Sequence, residues 1–180
     1  MRVISGIERG RKLKTLDGQE VRPTTDKVKE AIFSSLQFEI SGSVVLDLFA
    51  GSGQMGIEAL SRGAVRAIFV DHSPRSLAVT RENLEVTHFT ERAQIYQTEA
   101  EAFLQMLSSK IDIAILDPPY RKGIIKKILP LLISHMQKDG WIVCEHETAL
   151  VLPNTMKEWS IQKERKYGTI TVTIYKRGEA

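Results

Sequence analysis

Short apolar runs alternate with segments whose apolar residues recur every three or four positions, and the alternation spans most of the 180-residue chain. Val44-Val45-Leu46 is the first run, rich in β-branched residues, and reads as a buried parallel strand ending at Asp47-Leu48-Phe49. Gln54 to Arg62 follows as a helix, with Met55, Ala59 and Leu60 turned to a core. Ala67 to Val70 is the second strand, closed by Asp71. Ser73-Pro74 then starts a helix to about Val86, with a capping serine and a proline at the first helical position. Ala93 to Gln97 reads as the third strand. Ala100, Phe103, Leu104 and Leu107 mark a helix at i, i+3, i+4, i+7. Ile111 to Leu116 is the fourth strand, ending at Asp117. Ile125, Ile128, Leu129, Leu132 and Met136 line the next helix, where Pro130 predicts a kink. Gly140 to Glu145 is the fifth strand. Strand and helix repeated in this order predict a parallel sheet with helices on both faces.

The two ends depart from that repeat. Arg2-Val-Ile-Ser and Arg11-Lys-Leu-Lys flank Gly6 and Gly10 and read as a short basic hairpin. A helix from about Asp26 to Leu36 follows Arg22-Pro23-Thr24-Thr25, where either threonine can cap it. Val28, Ala31, Ile32 and Leu36 are its apolar stripe. At the other end, Trp159 to Lys166 and Thr169 to Tyr175 have strand composition, and the second alternates with period two. They predict an edge hairpin whose last strand is antiparallel to the rest. The pattern is that of one α/β domain over residues 1–180. A basic hairpin and helix occupy 1–40, and a Rossmann-like core of seven mostly parallel strands occupies 41–180.

Composition narrows the class. At 42% hydrophobic and 26% charged residues, the chain is ordinary for a soluble globular protein. No uncharged apolar run approaches the ~18 residues that span a membrane, and no apolar signal segment follows Met1. The single Cys144 fits a reducing cytoplasm. His72, His88, His135 and His146 show no metal-ligand spacing, so no metal is expected. The net charge of +3 is uneven. Arg2, Arg9, Arg11, Lys12 and Lys14 stand against Glu8 alone in the first 14 residues, net +4, which leaves −1 for the other 166. Basic charge gathered at one end points to a polyanion, most simply nucleic acid.

Two motifs carry candidate chemistry. Gly51, Gly53 and Gly56 form G-x-G-x-x-G between a strand and a helix, with Asp71 at the next strand's end to accept from ribose hydroxyls. The pattern implies a nucleoside-containing cofactor, and a Cβ at Gly53 is expected to fill the space that ligand needs. The second motif, Asp117-Pro118-Pro119-Tyr120, follows the fourth strand. Its prolines hold the backbone rigid and remove two N–H groups, leaving the Asp117 carboxylate and the Pro118 carbonyl as acceptors. Acceptors beside an aromatic ring suit an exocyclic amino group on a planar base, with Tyr120 stacking on the base. An NAD-dependent oxidoreductase would use the glycines and Asp71 but leave Asp117 to Tyr120 without a task. A non-catalytic RNA-binding module would use the basic N-terminus alone. The second motif does not separate guanine N2 from adenine N6 or cytosine N4.

Phe49-Ala-Gly-Ser-Gly with Asp117-Pro-Pro-Tyr120 resembles the S-adenosylmethionine-dependent amino-methyltransferases of class I. The wider pattern resembles the RsmD-type 16S ribosomal RNA guanine-N2 methyltransferases of bacteria. It includes Met1-Arg-Val-Ile-Ser-Gly, Gly10-Arg-Lys-Leu, Arg22-Pro-Thr-Thr-Asp-Lys-Val-Lys-Glu-Ala-Ile-Phe and Gly56-Ile-Glu-Ala-Leu-Ser-Arg-Gly-Ala. The resemblance implies that S-adenosyl-L-methionine is held by Asp47, Phe49, Ala50, Gly51, Ser52, Gly53, Asp71, His72, Glu99 and Ala100. Asp71 would take the ribose and Glu99-Ala100 the adenine edge. Asp117, Pro118, Pro119 and Tyr120 would hold the target amino group. Arg2, Arg9, Arg11, Lys12, Arg22 and Thr24 would contact ribosomal RNA, within an assembling small subunit and with the enzyme a monomer. The family more often has glutamate at Asp71 and commonly aspartate at Glu99, changes of one methylene with charge kept.

Overall fold

The computed structural model describes residues 1–16, 26–119 and 123–178. Its elements are α1 (Asp26–Ser35), β1 (Val44–Asp47), α2 (Gln54–Ser61), β2 (Arg66–Asp71), α3 (Pro74–Val86), β3 (Ala93–Gln97), α4 (Ala100–Met106), β4 (Ile111–Leu116), α5 (Ile124–Leu132), β5 (Met136–Glu147), β6 (Thr155–Met156), β7 (Trp159–Tyr167) and β8 (Ile170–Arg177). The strands form one sheet in the order β3-β2-β1-β4-β5-β8-β7-β6. The first five run parallel, and β8, β7 and β6 are antiparallel to their neighbours. The expected seven strands are present, and the two-residue β6 adds an eighth at the edge. Strand order reverses between β1 and β4, the switch point at whose carboxyl ends open α/β sheets bind ligands.

Alternation along each strand divides the core between two faces. Val45, Phe69, Ile113, Ile115, Val143 and Ile174 pack toward α1 and α2, with Ile32, Phe33, Leu36, Ile57 and Leu60. Leu46, Ile68, Val70, Leu116, Ile142 and Cys144 pack toward α4 and α5, with Phe103, Leu104, Ile125, Ile128, Leu129 and Leu132. Helix α5 runs to Leu132 with Pro130 inside it and exposed. Met136, expected on that helix, instead opens β5. Leu107 caps α4 from outside. The threonine cap expected for α1 lies outside the described residues. Among the described residues no helix is long and apolar enough to cross a membrane.

Helix α2 is buried along its whole length, including Glu58. One side faces the sheet, and the N-terminal segment covers the other. That segment is the expected hairpin, with an antiparallel bridge between Arg2 and Lys12 and a bond from Val3 N to Arg11 O of 2.9 Å. Gly6 turns with φ +88°, and a Cβ there would lie 1.9 Å from the Ser61 carbonyl oxygen. The Glu58 carboxylate accepts from Ile4 N at 2.8 Å, Ser5 N at 3.0 Å and Arg62 Nε at 2.8 Å. Lys29 Nζ of α1 lies 3.6 Å from Glu58 Oε2, both side chains fully buried, and donates to Arg2 O at 2.6 Å. Burial pulls the Lys29 ammonium below its ordinary pKa, and the Glu58 charge opposes that pull.

Removing one partner of a buried ion pair strands the other charge, which costs about 3–5 kcal/mol. Glu58→Ala is therefore expected to lose that much stability in urea denaturation and to speed hydrogen exchange at the Ile4 and Ser5 amides. A loss under about 1 kcal/mol, below the usual net worth of even one intramolecular hydrogen bond, would show that Glu58 does not hold the segment.

Candidate active site

The glycine-rich turn leaves β1 while still tied to the sheet. Leu48 N donates to Ile115 O at 3.1 Å and Ala50 N to Val70 O at 2.9 Å. Helix α2 then begins at Gly53, an N-cap with φ 78° that has no side chain to cap with. Asp47 supplies the cap from the strand. Its Oδ2 accepts from Gly56 N at 2.9 Å, the amide at the third helical position, and its charge faces the positive end of the helix dipole. Asp47 is 2% exposed. Loss of hydration raises its pKa from 3.8 to about 7, the Gly56 amide works against that rise, and the nearby Asp71 charge adds to it. Expected as a cradle for ligand, Asp47 first of all organises the turn.

The three glycines answer three different demands. At Gly56 a Cβ would lie 2.3 Å from Phe69 Cε1, so this glycine admits close packing of α2 on β2. At Gly53 it would lie 2.8 Å from Thr80 Cγ2 and 3.4 Å from Ile57 Cδ1. Protein atoms therefore crowd a side chain at Gly53, a constraint separate from the ligand space expected there. Gly51 has φ +55°, and among the described residues only Leu16 Cδ1, at 3.9 Å, comes near a Cβ built on it. That open face is the bare backbone a ligand can approach.

Asp71 joins the turn to the end of β2. Its Oδ2 accepts from Gly51 N at 2.9 Å and its Oδ1 from Ser73 N at 2.8 Å. A carboxylate oxygen can accept more than one hydrogen bond, so both retain capacity for a ribose hydroxyl. His72 is exposed, with Nδ1 3.7 Å from Asp71. Phe49 and Ser52 are half-buried and Ala50 is buried. Glu99 is exposed at the N-cap of α4 without a capping side-chain bond, and Ala100 behind it is buried. Gln54, the first residue of α2, keeps Oε1 buried with no hydrogen-bond partner among the described residues.

Asp117 is half-buried, Pro118 buried and Pro119 exposed at the carboxyl end of β4, next to β1 in the sheet. Asp47, Asp71 and Asp117 thus share one edge. Tyr120, Arg22 and Thr24 lie outside the described residues. Of the basic residues expected to meet RNA, Arg2 pairs with Asp26 at 3.4 Å and Arg11 with Glu8 at 2.8 Å, while Arg9 and Lys12 are exposed. The buried Asn83 went unnoticed in the sequence. Its amide donates to Ser52 O at 2.9 Å and Lys14 O at 3.0 Å and accepts from Lys14 N at 2.8 Å, joining the N-terminal segment to the turn. Its one signal was a polar residue on the inner side of α3. Thr80, likewise, donates to Gly51 O at 2.9 Å.

This fold, with its strand-end acids and glycine-rich turn, is that of the Rossmann-like methyltransferases. The family described as conserved hypothetical protein 95 matches residues 1–176, and the chain belongs to it, the RsmD type. YlbH of Bacillus subtilis is 41% identical over 182 residues, covering 98% of this chain and 99% of its own. Ribosomal RNA small subunit methyltransferase D of Escherichia coli is 34% identical, covering 98% and 90%. The solved structure of yhhF from Escherichia coli superposes with a TM-score of 0.89 at 32% identity, covering 99% of this chain and 98% of that one.

The Asp47 environment sets a pH dependence. A raised carboxyl pKa means the folded chain keeps a proton that the unfolded chain releases, so stability falls as pH rises from 3.8 to about 7. At about 1.4 kcal/mol per pKa unit, the loss is bounded near ~4 kcal/mol. Asp47→Asn is expected to be more stable than the parent at pH 8, with the advantage fading toward pH 4. Thermal melts across that range check it, and a constant difference would contradict it.

Proposed function

We propose that the chain transfers the methyl group of S-adenosylmethionine to the N2 amino group of a guanine in small-subunit ribosomal RNA. The observation that carries this reading is Asp117-Pro118-Pro119 at the end of β4, beside the open face of Gly51 on the adjacent strand's turn. The Escherichia coli relative's name supplies the ribosomal RNA. The residues present fit the cofactor: at Gly51 backbone left bare by the described residues, acceptor capacity at Asp71 for ribose, exposed Glu99 for the adenine edge, and for a donor Gln54 Oε1, which has no partner among the described residues. The cofactor supplies an electrophilic methyl group on sulfonium sulfur.

Asp117 and the Pro118 carbonyl accept from the guanine amino hydrogens. The free amino lone pair is delocalised into the ring and a poor nucleophile. Acceptors aimed at its hydrogens favour a pyramidal nitrogen with its lone pair turned toward the methyl group. The amino group carries no extra proton at neutral pH, so no base is needed before transfer. Nitrogen becomes acidic once methylated and releases its proton to water. Catalysis rests on positioning and on the Asp117 charge.

Asp117→Asn keeps shape and one acceptor oxygen but removes the charge. Single-turnover methyl transfer is expected to slow by ~10²-fold or more, as when one electrostatic contact at a transition state is lost. Cofactor affinity, measured by calorimetry, should stay near the parent value. Gly51→Ala should do the reverse, losing affinity while the protein stays folded. A parent-like rate for Asp117→Asn would remove the electrostatic role.

A further inference from the structure

Positive charge gathers at a second place. Residues 159–177, which form β7 and β8, carry Lys163, Arg165, Lys166, Lys176 and Arg177 against Glu164 alone. That is net +4, equal to the N-terminal 14 residues. With +3 overall, the rest of the chain is net −5.

The register decides where part of this charge points. Trp159 and Ile161 pack on the α4–α5 side of the sheet. Strict period two would keep Lys163 and Arg165 with them. A bulge between Ile161 and Lys163 shifts the pairing, so that Lys163 pairs with Ile174 and Arg165 with Val172. Both partners belong to the core on the α1–α2 side. Lys163 Nζ accordingly donates to Ser35 Oγ of α1 at 2.6 Å, and Tyr167 packs on the same side. Bulges re-aim side chains and gather beside active sites.

The hairpin tip lies at the carboxyl edge, because Ile170 pairs with both Tyr167 and Glu147 at the end of β5. Val172 also pairs with Glu145, and Cys144 with Leu116, the residue before Asp117. Arg165 therefore stands in the cross-strand row of Asp117, three strand spacings or about 14 Å away. Arg165 and Lys166 are exposed, and neither forms an ion pair among the described residues. The N-terminal segment docks on α2 and α3, on the other side of β4.

We propose that Arg165, turned by the bulged β7 to the α1–α2 face, and Lys166, beside it on the opposite face of the hairpin tip, bind RNA phosphate on the side of the target base opposite the N-terminal segment. This rests on the RNA reading above. A strand laid along the carboxyl edge is then held at both ends, with the target base between them.

The test measures binding to small-subunit ribosomal RNA, protein-free and in assembled subunits, across a salt series. Each phosphate contact contributes about 0.7 to the slope of log K against log salt for single strands and about 0.9 for duplex. Arg165→Ala with Lys166→Ala should flatten the slope by about 1–2 and raise the KM for RNA. Cofactor affinity, melting temperature and kcat at saturating RNA should be unchanged. Arg165→Lys should restore most of the slope, and Lys138→Ala, at the opposite edge of the sheet, should leave it intact. A parent slope in the double variant, with the slope falling when Arg9, Arg11 and Lys12 become alanine, overturns the proposal and leaves the RNA reading standing. A parent protein that neither binds nor methylates these RNAs overturns both.

Discussion

A buried carboxylate holds this molecule together at its functional end. Glu58 sits on the helix that begins at the glycine-rich turn, and it gathers Lys29, Arg62 and the amides of Ile4 and Ser5. Burying such a charge is expensive unless it is hydrogen-bonded and paired, and here three N–H donors share the two oxygens with the Lys29 ammonium beside them. The chain's first residues, α1 and α2 thereby become one unit. The consequence is spatial: a basic segment that would otherwise fray is fixed in register with the turn. Asn83 completes the attachment from the other side by bonding Lys14 and Ser52 at once.

The carboxyl edge shows a division of labour among acids of similar position. Asp47 turns inward to cap a helix whose N-cap is glycine. Asp71 ties two backbone amides across the turn and stays half-buried. Asp117 follows β4 at the switch point with two prolines behind it. Asp47 is buried, and the last two are half-buried. Asp47 is held at a cost in hydration, and what it secures is the start of α2. A turn built this way is rigid because Asp71, Thr80 and Asp47 brace its backbone from three elements.

The parallel sheet was legible because buried strands read as continuous apolar runs and the helices keep their period between them. The strand-end acids were legible because each ends such a run. The burial of Glu58, Lys29 and Asn83 was not, since polar residues inside a fold look like solvated ones until their partners are placed. Lys29 lies next to Val28 on α1, but its partners are residues 2 and 58. The crowding at Gly53 was hidden for the same cause: Thr80 is 27 positions away in the chain and meets the turn only after folding. A bulge is likewise invisible to a period-two reading, which assigns Lys163 and Arg165 to the wrong face.

Nucleosides from small-subunit ribosomal RNA, taken from cells with and without this protein, can be mapped by mass spectrometry for N2-methylguanosine. Loss of N2-methylguanosine at a guanine in the cells lacking the protein, restored by the parent chain and not by Asp117→Asn, is the result predicted. An unchanged N2-methylguanosine map, or the loss of a methyl group from adenine N6 or cytosine N4 instead, would contradict it.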